Sequence, residues 1–425
     1  MSVETIDTLV VGAGQAGIAL CEHLGQQGVP FLVLEKNRIA ESWRTSRWDA
    51  LVTNGPVWHD RFPNLEFEGN APDEFVGKDR VADYIEEYAS MVKAPVRTGI
   101  EVFRAERLPD RAGFRVETSD GVIEATRIVA ATGAFQHPVI PAIIPEAADV
   151  TQMHSASYRN PDQLNDGAVL VVGAGSSGAQ IADELNRAGR NVYLSVGPHD
   201  RPPRRYRGRD FVWWLGVLGL WDLAAQAPGT EHVTISVSGA YGGRTMDFRR
   251  LGGEGVMLVG RTSKYEDGKI IFADDLLSNV AAGDANYFEM LDAADAYAEA
   301  MGLDLPLEPE ARAMFPDPDS LTHPIRSLDL AAEGIRTVIW ATGFKQDFGW
   351  LKVDAFDDRG APIHQRGVSK EPGVYFLGLP WQSRRGSTFL WGVWHDAKFV
   401  ADQIAIQRAY ANYQGEAAIV PSAAE

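Results

Sequence analysis

The stretch VVGAGSSGAQIADEL, residues 171–185, repeats the plan of VVGAGQAGIALCEHL, residues 10–24. In each, an apolar run ends in Gly-x-Gly-x-x-Gly and passes directly into a segment of helical spacing. The glycines are Gly12, Gly14 and Gly17 in the first copy and Gly173, Gly175 and Gly178 in the second. In such a turn the first glycine makes the tight bend, the second lets the backbone approach a pyrophosphate, and the third lets the helix pack close. The helix start offers free N–H groups and a positive dipole end to phosphate. Gln15 and Ala16, and in the second copy Ser176 and Ser177, stand between the glycines and join them as cofactor-binding candidates. Two such turns, each after a strand and before a helix, predict an α/β chain with two Rossmann-like dinucleotide sites.

The residue closing the second strand separates the two cradles. FLVLE ends in Glu35, about 20 residues beyond the glycines, where a carboxylate can accept from both ribose hydroxyls. That predicts an adenosine with a free 2'-hydroxyl, as in FAD or NAD. In the second unit VYLSV puts Val196 there, and Arg201, Arg204, Arg205, Arg207 and Arg209 follow. Loss of the acid beside guanidinium groups fits a 2'-phosphate, hence NADPH, with Arg201 and Arg204 as its contacts. The other reading of the cluster is a basic solvated loop.

A chain of 425 residues with 45% apolar content can bury a large core and should form two or three domains. No run approaches the roughly 18 apolar residues of a membrane span, and the N-terminus enters a strand without a basic, apolar signal segment. The expected location is cytoplasmic. Cys21 is the only cysteine, which removes internal disulfides, dithiol redox pairs and cysteine zinc sites. The nine histidines show no metal-ligand spacing, so no metal is expected. A formal charge of -18 disfavours nucleic acid and anionic lipid and leaves small molecules as partners.

Several elements are legible along the chain. GKDRVADYIEEYASMV, residues 77–92, has helical spacing, and FRVETSDGVIEATRIVAATG, residues 114–133, reads as a hairpin turning at Asp120 and Gly121. YEDGKIIFADD, residues 265–275, reads as another hairpin. A late strand closes in Ala-Thr-Gly in each half, at Thr132 and Gly133 and again at Thr342 and Gly343. Residues 276–302 read as an acidic helix, an insertion or a solvated face. Residues 211–224, FVWWLGVLGLWDLA, are nearly all apolar and too short to span a bilayer; they read as a buried helix, a subunit interface of a homodimer or a greasy substrate entrance. The tail after Ala411 reads as frayed.

The two cradles, the two Ala-Thr-Gly strands and the sequence between Trp43 and Pro56 together resemble the class B flavin-dependent monooxygenases and their bacterial FAD/NAD(P)-dependent relatives. The resemblance covers nearly the whole chain. It implies an NADPH domain (161–345) inserted into a discontinuous FAD domain (1–160 and 346–425). It also implies that flavin reduced by NADPH takes up oxygen as a C4a-(hydro)peroxide and oxygenates a small organic substrate. TNGP, residues 53–56, resembles the family segment that sets an asparagine beside the flavin, which makes Asn54 the catalytic candidate; a turn is the alternative. ESWRTSRW, residues 41–48, resembles the segment running past FAD, so Trp43 and Arg44 are carried over, Arg44 toward the pyrophosphate. The closing stretch, residues 373–404, resembles the family's flavin cap and contributes Gly378, Ser387, Thr388 and Asp396. Trp381, Phe389, Trp391 and Trp394 would line a pocket or fill core. The family's linker motif is half present: HSASY supplies His154 and Tyr158, but Ala148 and Val150 stand where Phe and Gly are expected. A flavin-dependent reductase, or a non-catalytic flavin redox sensor, would use the same two cradles.

Overall fold

The computed structural model describes residues 3–224 and 234–413. The N-terminal unit is strand Glu4–Val11, helix Gln15–Gln26 and strand Phe31–Glu35. Parallel strands covered on both faces must be apolar along their length, and this is why TLVV and FLVL read as runs and not as alternations. Glu4–Val11 pairs in parallel with Phe31–Glu35 on one side and with Gly121–Ala130 on the other, Val10 lying between Val33 and Val129. The strand Gly121–Ala130 is ten residues long and has two partners on its far edge. Its beginning is antiparallel to Phe114–Thr118, through the turn at Asp120 and Gly121 that the sequence predicts. Its last three residues pair in parallel with Val374–Phe376, and Leu351–Lys352 pairs in parallel with Val102–Arg107, so the chain returns to this first sheet after making the second.

The second parallel sheet runs Met257–Val259, Val192–Ser195, Ala168–Val172, Ile335–Trp340, Thr151–His154. Its centre, AVLVV, is wholly buried. Beside it the predicted hairpin Thr262–Glu266 with Lys269–Phe272 forms and gains a third strand, Ser327–Asp329. The links between the two sheets also meet: Phe344 pairs with Pro138 and Lys345 with His137 in a short antiparallel ribbon, which ties the segment after the first Ala-Thr-Gly ending to the one after the second.

The helix Lys78–Met91 is present as predicted. The C-terminal helix, Leu390–Ala411, lays Val393, Ala397, Val400 and Ile404 into the same core as Ile18 and Leu24 of the first cradle helix. The acidic helix Leu276–Ala300 is more than a solvated face: Leu276, Val280, Leu291, Ala294 and Ala298 are buried. A Cβ at its Gly283 would stand 2.5 Å from His199, so the helix is pressed against that ring.

Residues 211–224 are mostly internal. Asp210 caps a helix Phe211–Val217, whose Trp214 packs among Leu291, Ala294 and Ala298. Trp221 joins Phe211, Leu215 and Val237 in a second cluster. Much of the apolar face thus finds its cover within the chain, while Gly216, Gly219, Asp222, Leu223 and Ala224 are exposed. Among the described residues no helix is long and apolar enough to cross a membrane. The last helix ends at Ala411, and most of the tail read as frayed, residues 414–425, lies outside the described residues.

Candidate active site

The two cradles have the same local geometry. Gly12 has φ +108° and a Cβ there would meet Ala131 O at 2.5 Å; Gly173 has φ +124° and would meet Ala341 O at 2.5 Å. A Cβ on Gly17 would lie 2.0 Å from Gly12 O, and one on Gly178 would meet Gly173 O equally closely. Neither helix start is capped by a side chain. The middle glycines differ: nothing lies within 4 Å of a Cβ on Gly14, whereas one on Gly175 would be 3.2 Å from the Thr234 side chain. Ser176 Oγ donates to Ile235 O and accepts from Val237 N, so residues 234–237 flank the second cradle. Open N–H groups above an unobstructed glycine fit a dinucleotide pyrophosphate at the first cradle, and the second fits with Thr234 as an added wall.

Glu35 closes the first turn. Its two oxygens accept from Ala13 N at 2.8 Å and Asn37 N at 2.9 Å, which leaves lone pairs on each for ribose hydroxyls. Gln15 links two other predicted contacts: its Nε2 donates to Thr388 O at 2.6 Å, and its Oε1 accepts from Trp43 Nε1 at 3.1 Å. Gly378 belongs to the same cluster, since a Cβ on it would be 2.9 Å from Ala16 Cβ. Ser387 is fully buried and its hydroxyl accepts from Ser383 N and Arg384 N, so it shapes the turn before the C-terminal helix. Trp394 donates to Glu22 and belongs to the core, as does Asp396, which accepts from Ser383.

Three predicted phosphate partners stand elsewhere than the sequence suggests. Arg44 donates to Asp83 and Glu86 at 2.9 Å each and is turned to the helix Lys78–Met91. Arg201 is buried between Asp247 and Asp284, both at 2.8 Å. Arg204 forms a bidentate pair with buried Asp210 and also donates to the backbone oxygens of Asn54 and Ser238. Arg201 and Arg204 are thus not a free phosphate clamp, because each buried guanidinium is already paired with carboxylates. Arg207 follows the same pattern with Asp295, while Arg205 and Arg209 are exposed.

Asn54 is held from two directions. Its Oδ1 accepts from Gln180 Nε2 at 2.9 Å, and its backbone oxygen accepts from Arg204. With Oδ1 engaged, the Nδ2 donors are left for another partner. Next to it, Gly55 N donates to Asp60 Oδ2 at 2.8 Å, and His59 Nδ1 faces Asp60 Oδ1 at 2.8 Å. The His59 ring is stacked with Trp221 and Trp391 at 5.2 and 5.6 Å, and its Nε2 has no partner among the described residues. Gln180, His59 and Asp60 were missed in the sequence. The available signal was a glutamine on the buried side of a cradle helix and a His-Asp pair within six residues of Asn54.

His154 and Tyr158 act as ties. His154 Nδ1 accepts from Ala156 N and Nε2 faces Gly343 O at 2.9 Å, which fixes the proton on Nε2. Burial holds this imidazole below its usual pKa. Tyr158 is buried and donates to Glu184, a carboxyl pushed up by burial to about 7. Thr132 and Gly133 both accept from Gln136 Nε2 at 2.9 Å, and Thr342 donates to Val139 O beside Gly343, which accepts from Val139 N. No group of metal-ligating side chains occurs among the described residues.

Residues 9–208 match the family model described as pyridine nucleotide-disulphide oxidoreductase. The chain is 35% identical to an uncharacterized CzcO-like oxidoreductase of Geobacillus kaustophilus, over 94% of this chain and 98% of that protein. It is 32% identical to the indole-3-pyruvate monooxygenase YUCCA1 of Oryza sativa subsp. japonica, over 94% and 91%. In fold it resembles the flavin-containing monooxygenase from Stenotrophomonas maltophilia, with a TM-score of 0.66 and 19% identity over 96% of this chain and 100% of that one. The chain belongs to the flavin-dependent monooxygenase and oxidoreductase family.

Proposed function

We propose that this protein is an NADPH-dependent flavoprotein monooxygenase that uses molecular oxygen to oxygenate a small organic substrate, and that it works in the cytoplasm. In this reading FAD is held by the unit built on the first sheet and NADPH by the unit built on the second, whose edge strand Thr151–His154 lies before the expected boundary at residue 160. Gly12, Gly14 and Gly17 receive the FAD pyrophosphate, Glu35 its ribose, and Gly173, Gly175 and Gly178 the pyrophosphate of NADPH. Bound FAD, once reduced, supplies the electrons and the oxygen activation that no side chain of the protein can provide.

The protein's part is orientation, exclusion of water and hydrogen-bond donation. The observation that carries the reading is the double anchoring of Asn54 by Gln180 and Arg204. A side-chain amide so fixed offers Nδ2–H to a developing negative charge without giving up a proton. The His59, Trp221 and Trp391 stack supplies an apolar wall next to this loop, in keeping with a role in excluding water. The start of the C-terminal helix adds uncapped N–H groups that favour negative charge. A dithiol reductase is not supported, because Cys21 is the only cysteine and its buried thiol donates to Gly17 O.

The deciding experiment follows NADPH and oxygen consumption by the yellow protein against a panel of amines, sulfides, ketones and aromatic acids, with product analysis. Oxygenated product formed in step with NADPH oxidation is expected. NADPH oxidation that yields only hydrogen peroxide across the panel would favour a flavin reductase, and negligible turnover a redox sensor.

A further inference from the structure

The segment ESWRTSRW contains two arginines with opposite surroundings. Arg44 is saturated by Asp83 and Glu86. Arg47 is half-buried, makes one hydrogen bond, from Nη1 to Ser46 O at 3.0 Å, and has no ion pair among the described residues. Its guanidinium lies 5.7 Å from the Trp43 ring centroid and 5.0 Å from that of Phe135. Burial without an opposing charge pushes its pKa down to about 10. Aromatic faces offset only part of the cost of withdrawing a cation from water, so the group lacks a counter-charge.

Its neighbours say where that charge would come from. Trp43 donates to Gln15, the first residue of the first cradle helix. Phe135 stands two residues beyond Gly133 and packs on Phe344, next to Gly343. Trp48, next in sequence to Arg47, shares a core with Ala174 inside the second cradle. Arg47 therefore lies among side chains that reach both cradles, the places where a dinucleotide would present its doubly charged pyrophosphate. A guanidinium fork matches phosphate oxygens in a bidentate fashion.

We propose that Arg47 is a pyrophosphate-binding residue, its counter-charge being supplied by the bound dinucleotide. This rests on the reading of the protein as a two-dinucleotide flavoprotein. FAD and the nicotinamide dinucleotide share the pyrophosphate chemistry, and separate titrations distinguish them.

The test compares Arg47→Met, Arg47→Lys and Arg44→Met with the wild type. Flavin-stripped full-length protein is titrated with FAD by fluorescence quenching, FAD-loaded protein with NADP+ by calorimetry, and the melting temperature of the stripped protein is recorded. Arg47→Met should weaken one of the two affinities at least tenfold, Arg47→Lys less, and Arg44→Met neither. The weakened ligand identifies the pyrophosphate. Removal of an unpaired cation should leave the melting temperature of the stripped protein unchanged or raised, whereas a purely structural arginine would lower it. Affinities within twofold of wild type, or a fall in melting temperature that accounts for the loss, overturn the proposal. If Arg47→Met does not fold, Arg47→Lys decides by the same criteria, since it keeps the charge and loses the fork. Wild type that binds both ligands while the Arg47 variants do so equally well defeats this inference alone. Wild type that binds neither defeats the functional reading with it.

Discussion

Asn54 Oδ1 accepts a hydrogen bond from Gln180 Nε2 at 2.9 Å, which joins the loop beside the first cradle to the helix that starts at the second. Gln180 also donates to Val237 O, in the segment that flanks the second cradle. The orientation of the proposed catalytic amide is thus set by the element that would carry the nicotinamide dinucleotide. Replacing Gln180 with Leu should leave FAD bound and let the Asn54 amide rotate. The expected result is a product yield per NADPH lowered severalfold, with more hydrogen peroxide. Asn54→Ala should behave in the same way. Unchanged coupling in both variants would remove Asn54 from the mechanism.

The glycines of the first cradle predict two different failures. Gly17→Ala brings a Cβ to 2.0 Å from Gly12 O, which is backbone and cannot step aside, so a loss of roughly 3 kcal/mol in stability is expected. Gly14→Ala meets nothing within 4 Å and has an ordinary φ of -78°, so the chain should fold normally and lose FAD. Thermal melts and flavin content of the purified variants separate the two. A Gly14→Ala protein that retains full flavin would mean that the pyrophosphate lies elsewhere.

Arg201 and Arg204 should matter for stability and little for nucleotide choice. Arg204→Met strands Asp210 in a buried site, at a cost of roughly 3–5 kcal/mol readable as a shift in the urea midpoint. The ratio of kcat/KM for NADPH over NADH should change less than threefold. A collapse of that ratio at unchanged stability would restore these arginines as readers of the 2'-phosphate.

Glu184 gives the fold a pH dependence near neutrality. Burial raises its folded pKa from 4.5 to about 7, so the folded state holds the proton over a range in which the unfolded chain has released it. Its contribution is fully present below about pH 4.5 and is lost as pH rises through about 7, a change on the order of 1 kcal/mol after solvent screening. Melting temperatures of wild type and Glu184→Gln measured from pH 4.5 to 8 should diverge over that interval, the wild type falling relative to the variant. Parallel curves would show that the carboxyl is solvated.

Local pattern was sufficient for much of the architecture. The Gly-rich turns at Gly12 and Gly173, the hairpin turns at Asp120 and Asp267, the helix Lys78–Met91 and the paired Ala-Thr-Gly endings are written in spacing and turn chemistry over a few residues. These follow from backbone sterics and from the apolar runs that a doubly covered parallel strand requires. The charges were a different matter. Five arginines in nine residues read as a phosphate clamp, yet Arg201 meets Asp247 and Asp284 across 46 and 83 residues, and Arg204 meets Asp210 because the chain turns back on itself there. Arg44 and Arg47 stand three residues apart and differ only in which helix and which rings the fold brings to them. Sequence alone determined where the cradles lie, since a turn is decided by its own residues. Which cations remained free was decided by tertiary structure, because neutralising a buried charge depends on carboxylates delivered from distant parts of the chain.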